Sequence, residues 1–339
     1  MDVSDDKLYF TDVSNHRVRA VDLGDGTIAT VAGGGRGEMG DGGLATAATL
    51  STHPMRVMAD EGDLYITDAH QNRVRRVDCH TGIITTVAGT GTEGFAGDGG
   101  PATAAGLCVP HGARFDATGN LFIADTRSHR VRRVDGGTGI ITTVAGTGRE
   151  GFSGDDGPAV DAALAAPLAV DLDLEGNLYI VDTDNGRIRR VDAATGLIGT
   201  VAGSGAIGPL ADGVAASRAR FGRLRDVVVA ADGNLIAADG DNSVICRIDL
   251  CGGIIRHIAG TGTEGFAGDG GPATAARLRL PYSIALDRDQ NLFIKDSGNC
   301  RIRRVDAAAG TISTIAGCGE YGFSGDGGPA LAARLATGK

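Results

Sequence analysis

The chain alternates apolar and polar residues over short stretches, and the same stretch returns at a nearly constant interval. A strand-like run that ends in aspartate recurs at residues 8–12, 64–68, 121–125, 178–182, 235–239 and 292–296. The closing aspartates are 56 or 57 residues apart. Because periods of this length are typical of solenoids and propellers, the repeat is the primary evidence for the fold.

Each repeat contains four stretches with strand character, seen in its last copy at 281–287, 292–296, 301–306 and 311–317. Alternating apolar positions, β-branched residues and bounding glycines or aspartates indicate strands, and too few residues separate them for crossover helices. The pattern predicts an all-β protein: a six-bladed β-propeller with four-stranded antiparallel blades of about 57 residues. We expect one domain over 1–339, with blade cores at 1–33, 54–89, 110–146, 167–203, 224–260 and 281–317.

The longest connection in each repeat joins one blade to the next, as at 94–105. A proline that opens an alanine-rich run, as Pro101 does, predicts a short helical turn. Four phenylalanines recur in these connections and are expected to fill gaps between blades: Phe95, Phe152, Phe266 and Phe323.

Composition and charge exclude several classes of function. A net charge of −10 argues against nucleic acid or an anionic membrane surface as the main partner. The 6 cysteines form no Cys-x-x-Cys pair and the chain opens with no secretory signal, so we expect a cytoplasmic protein. A secreted protein without its leader would give the same pattern.

Asn15-His16-Arg17 and Ser128-His129-Arg130 follow the second-strand aspartate in their repeats. In this the sequence resembles the NHL-repeat family of β-propellers, which carries an Asn-His motif there. The resemblance covers all six units and implies a propeller; it leaves function open, since the family contains both interaction platforms and enzymes. The first blade has little sequence for its first strand, so we expect the ring to close through a shortened strand.

Motifs that recur in the repeat are interpreted as structural. Gly-x-Gly-x-x-Gly at 89–94 returns at 146–151, 260–265 and 317–322, and none of the copies opens a long helix in a βαβ unit. We therefore expect no organic cofactor. The recurrent arginine pairs, such as Arg132-Arg133, lack interleaved aromatic residues and are interpreted as solvated edges or interblade ion pairs.

Departures from the repeat are where a site for one asymmetric ligand would show. They concentrate on one rim of the propeller's central channel. At that rim the first strand of each blade begins and the second strand ends. Arg56 and Asp226 stand where other blades have small residues, and Lys295 stands in another small-residue slot. Further departures follow the position where most first strands open with a proline: Met55, His111, Arg114, Asp171, Arg225 and Tyr282.

These residue types suggest roles. We expect Tyr282, Lys295, Asp226 and His111 to transfer protons. The predicted substrate-binding residues are Arg56, Arg114, Arg225, Met55 and Asp171. A divalent metal, with zinc as the first choice, is a further candidate, with His53 and His111 as ligands and His70 and His129 as additional ones.

Pro110-His111-Gly112 is similar to a ligand-bearing segment of peptidylhydroxyglycine lyases, which have NHL-like propellers. The resemblance implies zinc held by histidines with Tyr and Arg beside it, and Tyr282 and Arg114 supply those types. The Pro-His pair does not recur, however, and His53 precedes its proline. The sequence therefore does not predict that specific activity.

Two functions remain open from sequence. The first is a non-redox enzyme, a hydrolase, lyase or isomerase, acting on a small polar or anionic molecule at the channel mouth. The second is a non-catalytic scaffold that binds a peptide or partner protein on the same rim. A concave pocket favours the first, whereas a broad surface with exposed apolar anchors favours the second.

Overall fold

A computed structural model describes residues 1–35, 37, 40–51 and 54–337. These residues form a ring of six antiparallel sheets around a central channel, which confirms the predicted six-bladed propeller. Each blade has four strands, named a to d from the channel outward. Two sheets gain a short fifth strand from the preceding interblade segment, Gly157–Pro158 and Gly328–Pro329.

The strand bounds follow the sequence period. Strands a are Asp2–Ser4, Pro54–Asp60, Pro110–Phe115, Pro167–Leu172, Leu224–Val229 and Pro281–Leu286. Strands b are Lys7–Asp12, Asp63–Asp68, Leu121–Asp125, Leu178–Asp182, Leu235–Asp239 and Leu292–Asp296. Strands c are Arg17–Asp22, Arg73–Val77, Arg130–Val134, Arg187–Val191, Val244–Asp249 and Arg301–Val305. Strands d are Thr27–Gly33, Ile84–Ala88, Ile141–Ala145, Leu197–Ala202, Ile254–Ala259 and Ile312–Ala316.

Helical structure in these ranges is confined to single 3₁₀ turns. One set follows strand b: Val13–Asn15, Ala69–Gln71, Thr126–Ser128, Thr183–Asn185 and Ser297–Asn299. The other set lies in the interblade segments: Ala45–Ala47, Ala102–Ala104, Ala159–Asp161, Ala216–Arg218, Ala273–Ala275 and Ala330–Ala332. Within the residues that the structure covers, no helix has the length and apolar character needed to cross a membrane.

The core lies between blades, because each sheet buries both faces against its neighbours. One cluster packs Val181 and Ile188 of blade 4 against Val227, Ala237 and other residues of blade 5. The alternating apolar positions of strand b supply both faces, so strand b is buried throughout in blades 3 to 6. The ring depends on apolar contacts between blades rather than on any single sheet.

Each interblade segment runs down the outer strand of the next blade. The Gly99 N–H donates to the Ile141 carbonyl, and the Ala102 N–H donates to the Gly139 carbonyl. The ring closes in the same way, since Gly328–Pro329 pairs with Thr27 and Ile28 of blade 1. Strand a of blade 1 has 3 residues where the others have 6 or 7.

A buried arginine in strand c anchors the preceding interblade segment. Arg132 is fully buried and pairs with Asp98 of that segment at 2.7 Å and with Asp125 of strand b at 3.6 Å. The same side chain is fully buried in four other blades, as Arg19, Arg75, Arg189 and Arg303. The first arginine of each pair is therefore an interblade anchor. The second lies at an edge, as Arg133 beside Asp135 does.

The recurrent phenylalanines contact arginines rather than fill apolar gaps. Phe95 remains 43% exposed, with the Arg130 guanidinium 3.7 Å and the Arg132 guanidinium 4.7 Å from its ring centroid. This arrangement recurs at Phe152, Phe266 and Phe323. Each phenyl ring thus covers the guanidinium groups that tie two blades together.

Candidate functional site

The channel opens into a small pocket at the end where strands a begin. We call this opening the mouth; its lining residues are Met55, Arg56, His111, Gly112, Leu168, Ala169, Arg225, Asp226, Tyr282 and Ser283. They come from strands a of blades 2 to 6. Six of the side chains that the sequence selected as departures from the repeat therefore lie around one pocket. The six are Met55, Arg56, His111, Arg225, Asp226 and Tyr282.

Arg56 and Asp226 form a buried ion pair across the channel. The Arg56 guanidinium contacts the Asp226 carboxylate, and their side chains are 5% and 2% exposed. Arg56 belongs to blade 2 and Asp226 to blade 5, which are opposite blades of a six-membered ring. This pairing occupies the guanidinium that we expected to hold a substrate anion, so Arg56 braces the floor of the pocket.

Asp226 has further hydrogen-bond donors around its carboxylate. Ser283 Oγ donates to it at 2.9 Å, the Ile284 N–H at 3.0 Å and the Val227 N–H at 2.9 Å. With the Arg56 guanidinium these donors surround the carboxylate, so the contacts of Asp226 suit a fixed counter-ion better than the proton-transfer group that we expected.

Tyr282 lies between two cations at the mouth. Its ring centroid is 5.2 Å from the Arg225 guanidinium and 5.6 Å from the Lys295 ammonium. Burial raises the pKa of the Tyr282 hydroxyl above its ordinary value, so this group stays protonated near neutral pH. Tyr282 is therefore suited to donate a hydrogen bond or a proton rather than to accept one.

Lys295 is buried behind Tyr282, at the junction of blades 6 and 1. Its Nζ donates to Thr11 Oγ1 at 3.1 Å, and burial lowers the pKa of Lys295 to about 8. Its side chain is 1% exposed and is not part of the pocket lining. Lys295 thus contributes positive charge behind the mouth and contacts the pocket through the Tyr282 ring.

Arg225 is the pocket cation with the weakest partner. Its guanidinium lies 3.5 Å from Asp241, a carboxylate that is 51% exposed, and its own side chain is 17% exposed. A loose, solvent-screened pair of this kind is easily exchanged for a ligand anion. Arg225 therefore fits the predicted substrate-binding role better than Arg56 does.

Arg114 and Asp171 lie deeper than the mouth. In the strand register Arg114 lies opposite Phe122, and Asp171 lies opposite Tyr179. Arg56, which lines the mouth, lies opposite Thr67 and occupies a position two residues earlier along strand a than Arg114 and Asp171 do. Arg114 Nε contacts Asp171 at 3.0 Å, and the side chain opens into a separate cavity of about 310 Å³ at the opposite end. These two residues belong to a second ion-paired layer, whose charges interact with those of Arg56 and Asp226 in the mouth.

The predicted metal-binding histidines do not form a cluster where the structure describes them. His53 lies outside the described residues. The Ala166 N–H donates to His129 Nδ1 at 3.1 Å, so that nitrogen already has a partner in the next blade. In the described ranges no group of three or more His, Cys, Asp and Glu side chains could hold a metal ion. Zinc at His53 and His111 stays a prediction.

One motif position holds neighbouring blades together. The residue after the 3₁₀ turn of strand b adopts a left-handed backbone, with φ of 56° at His16, 50° at Asn72 and 53° at His129. His16 Nδ1 lies 3.1 Å from the Ser51 carbonyl, and the Val109 N–H donates to Asn72 Oδ1 at 2.9 Å. The motif histidines thus have interblade structural roles.

Comparison with known proteins identifies the family to which the repeat belongs. The NHL repeat model matches residues 107–134, which include His129 and its turn. The chain is also 26% identical over 330 residues to NHL repeat-containing protein 2 of Gallus gallus, covering 94% of this chain and 40% of that protein. The chain belongs to the NHL-repeat family.

A second relative of this NHL-repeat propeller is a plant protein. It is 30% identical over 254 residues to Protein SUPPRESSOR OF QUENCHING 1, chloroplastic, of Arabidopsis thaliana, covering 72% of this chain. The match spans 24% of the plant protein, so the greater part of that relative lies outside the similarity.

Solved structures show the same fold. Virginiamycin B lyase from Staphylococcus aureus matches the NHL-repeat propeller with a TM-score of 0.52 and 15% identity, over 92% of this chain and 81% of that one. At this identity the likeness concerns the fold alone, because propellers with one architecture have unrelated functions.

Proposed function

We propose that the mouth binds the anionic group of a small molecule and that the protein is a non-redox enzyme of hydrolase, lyase or isomerase type acting on it. This proposal rests on one observation about where the departures from the repeat lie. Residues that break the six-fold repeat in separate blades line one pocket, with Arg225 and Tyr282 at its opening.

Charge at the mouth favours an anion. The pocket contains Arg56, Arg225 and one carboxylate, Asp226, and Lys295 lies directly behind Tyr282. Arg56 and Asp226 neutralise each other, which leaves Arg225, with its solvent-screened partner Asp241, in the lining and Lys295 behind Tyr282. This is a cationic site in a chain of net charge −10, and such a local field attracts an anion.

The size of the pocket limits what enters it. Its cavity of about 20 Å³ has room for about one water molecule. The head group of a ligand would displace that water, and the rest of the molecule would lie over the rim. Met55 and Leu168 supply apolar surface there.

The groups available for chemistry are a phenol and an imidazole. The protonated Tyr282 hydroxyl would act as an acid, and the His111 imidazole would act as a base across the pocket. Arg225 would orient the anion between them. No step in this scheme uses an organic cofactor or an oxidant.

The scaffold alternative has less support from surface chemistry. The large apolar side chains that are exposed in the described ranges include Phe95, Leu174, Ile207 and Leu331, and none lines the mouth. A peptide-binding rim would present such anchors around the opening. Virginiamycin B lyase, similar in fold alone, is a named example of lyase chemistry on this architecture.

Calorimetry with a panel of small carboxylates, phosphate and sulfate tests anion binding. We expect at least one anion to bind the wild type and to bind Arg225→Ala at least tenfold more weakly. Arg334→Ala is the matched control, because Arg334 is 53% exposed, pairs with Glu320 and is not part of the pocket lining. Equal loss in both variants, or no binding by the wild type, would contradict the proposal.

Metal assistance is a separate part of the proposal. The His111 imidazole and the undescribed His53 are the ligands that the sequence indicates. Elemental analysis of protein purified without chelators or a metal-affinity tag tests it. About one zinc per chain that is lost in His111→Ala would support metal assistance, and no metal in either protein would contradict it.

A further inference from the structure

Blade 6 contains two cysteines at the same end of its outer hairpin. Cys300 follows the 3₁₀ turn of strand b, and Cys318 follows strand d by two residues. At the first position the other blades have His16, Asn72, His129, Gly186 and Ser243. At the second, three of them have Thr90, Thr147 and Thr261. Both departures from the repeat thus fall in one blade.

The two cysteines lie just beyond the same end of the ladder between strands c and d. Ile302 pairs with Ala316 at that end, and Cys300 and Cys318 each lie two residues further along their segments. The backbones are still in contact there, because a Cβ on Gly317 would lie 2.3 Å from the Cys300 carbonyl oxygen. Opposed residues of antiparallel strands have Cα atoms about 4.5–5.5 Å apart and disulfides span about 4.4–6.8 Å, so residues that leave such a ladder side by side are candidates for a disulfide.

We propose that Cys300 and Cys318 are a cross-strand dithiol that closes reversibly to a disulfide. Both thiols are free and partly buried in the structure. Burial raises the pKa of the Cys300 thiol, and Asp12 and Cys318 contribute in the same direction. The other four cysteines lie in blades 2, 3 and 5, away from this hairpin.

The oxidant required is a small disulfide such as oxidised glutathione. One protein thiolate attacks that disulfide, forms a mixed disulfide and releases one reduced glutathione. The second protein thiolate attacks the mixed disulfide, forms the protein disulfide and releases a second reduced glutathione. The two protein thiols lose two protons and two electrons, and the oxidant gains both electrons.

The position of the pair gives the modification a structural consequence. Cys318 begins the interblade segment that closes the ring, and its N–H donates to the Ala333 carbonyl within that segment. Cys300 lies just beyond the turn at Ser297, whose carbonyl accepts from Thr337 Oγ1 at 3.2 Å. The disulfide would therefore join blade 6 to the start of the closing segment and hold the ring junction.

Peptide mapping after equilibration in reduced and oxidised glutathione tests the proposal. We expect a Cys300–Cys318 cross-linked peptide in the oxidised buffer, its loss on return to the reduced buffer, and a higher melting temperature for the cross-linked protein. Cys79 and Cys251, both exposed, report general oxidation. Glutathione adducts on either thiol without the cross-link, or equal cross-linking to other cysteines, would overturn the proposal.

Two substitutions taken from the repeat itself keep the test independent of folding. Cys318→Thr introduces the residue found at Thr90, Thr147 and Thr261, and Cys300→His introduces that of His16 and His129. We expect either variant to fold, to lose the cross-linked peptide and to lose the oxidation-dependent rise in melting temperature. A rise that persists in both variants would show that another group is responsible.

Discussion

Arg56 and Asp226 join blade 2 to blade 5 across the central channel, although 170 positions separate them in sequence. The pair forms the floor of the mouth, and Arg114 with Asp171 forms a second layer below it. The channel is therefore closed by charged side chains rather than open along its axis. In the proposed site, a ligand head group would meet this ion pair at the floor of the mouth.

Removing one partner of the Arg56–Asp226 pair should destabilise the whole ring. We expect Arg56→Met or Asp226→Asn to lower the free energy of unfolding by about 3–5 kcal/mol, because each leaves a buried charge or polar group without its partner. The double variant Arg56→Met/Asp226→Met should lose less than the sum of the single losses. Denaturant unfolding measures this, and additive losses would show that the two residues act separately.

Blade 5 provides an internal control for the buried arginines. There Cys246 occupies the arginine position and packs with Leu210 and Phe221 in an apolar cluster. We expect Arg132→Met to cost about 3–5 kcal/mol, because Asp125 and Asp98 lose their cation. Cys246→Ala should cost about 1 kcal/mol, the value for a small cavity. A larger loss for Cys246→Ala in denaturant unfolding would contradict the anchor role.

The left-handed motif position should accept only residues that tolerate its backbone and bond to the next blade. We expect His129→Asn to change stability by less than about 0.5 kcal/mol, because Asn72 bonds to the next blade from that position. His129→Val should cost about 1–3 kcal/mol, since it combines a φ of 53° with loss of the acceptor for the Ala166 N–H. Equal thermal stability of the two variants would exclude this role.

Lys295 should make stability depend on alkaline pH. Its pKa in the folded protein is about 8, below the ordinary 10.5, so the protonated form is disfavoured on folding. This cost is complete below pH 8 and disappears as pH rises through 10.5, so stability should increase over that window.

Lys295→Met removes the ammonium group and isolates this contribution. We expect the variant to be more stable than the wild type at neutral pH by about 1–3 kcal/mol, with the difference shrinking as pH rises. Unfolding measured at several pH values checks this. A difference that stays constant with pH would show that Lys295 is not the titrating group.

Much of the fold follows from the repeat period, because each unit specifies four strands and has no room for helices. The pocket follows in part, since residues such as Arg225 and Tyr282 differ from their counterparts in other blades. The repeat does not show which charged side chains pair across the channel. Arg56 meets Asp226 only because blades 2 and 5 are opposite in a closed ring.

The sequence pattern also does not show how deep in the channel each side chain lies. Arg114 and Asp171 lie only two residues beyond the mouth positions on their strands, yet that step brings them to another layer. The cysteine in blade 5 could have been found by aligning the repeats, because Cys246 interrupts an otherwise constant arginine.

The central claim, that the mouth is an anion site, is tested most directly by diffraction from crystals soaked in selenate or iodide. The account predicts an anomalous peak in the mouth within hydrogen-bond distance of Arg225 and Tyr282 in the wild type, and no peak there in Arg225→Ala crystals. Peaks confined to the outer surface, or a mouth peak that persists without Arg225, would contradict it.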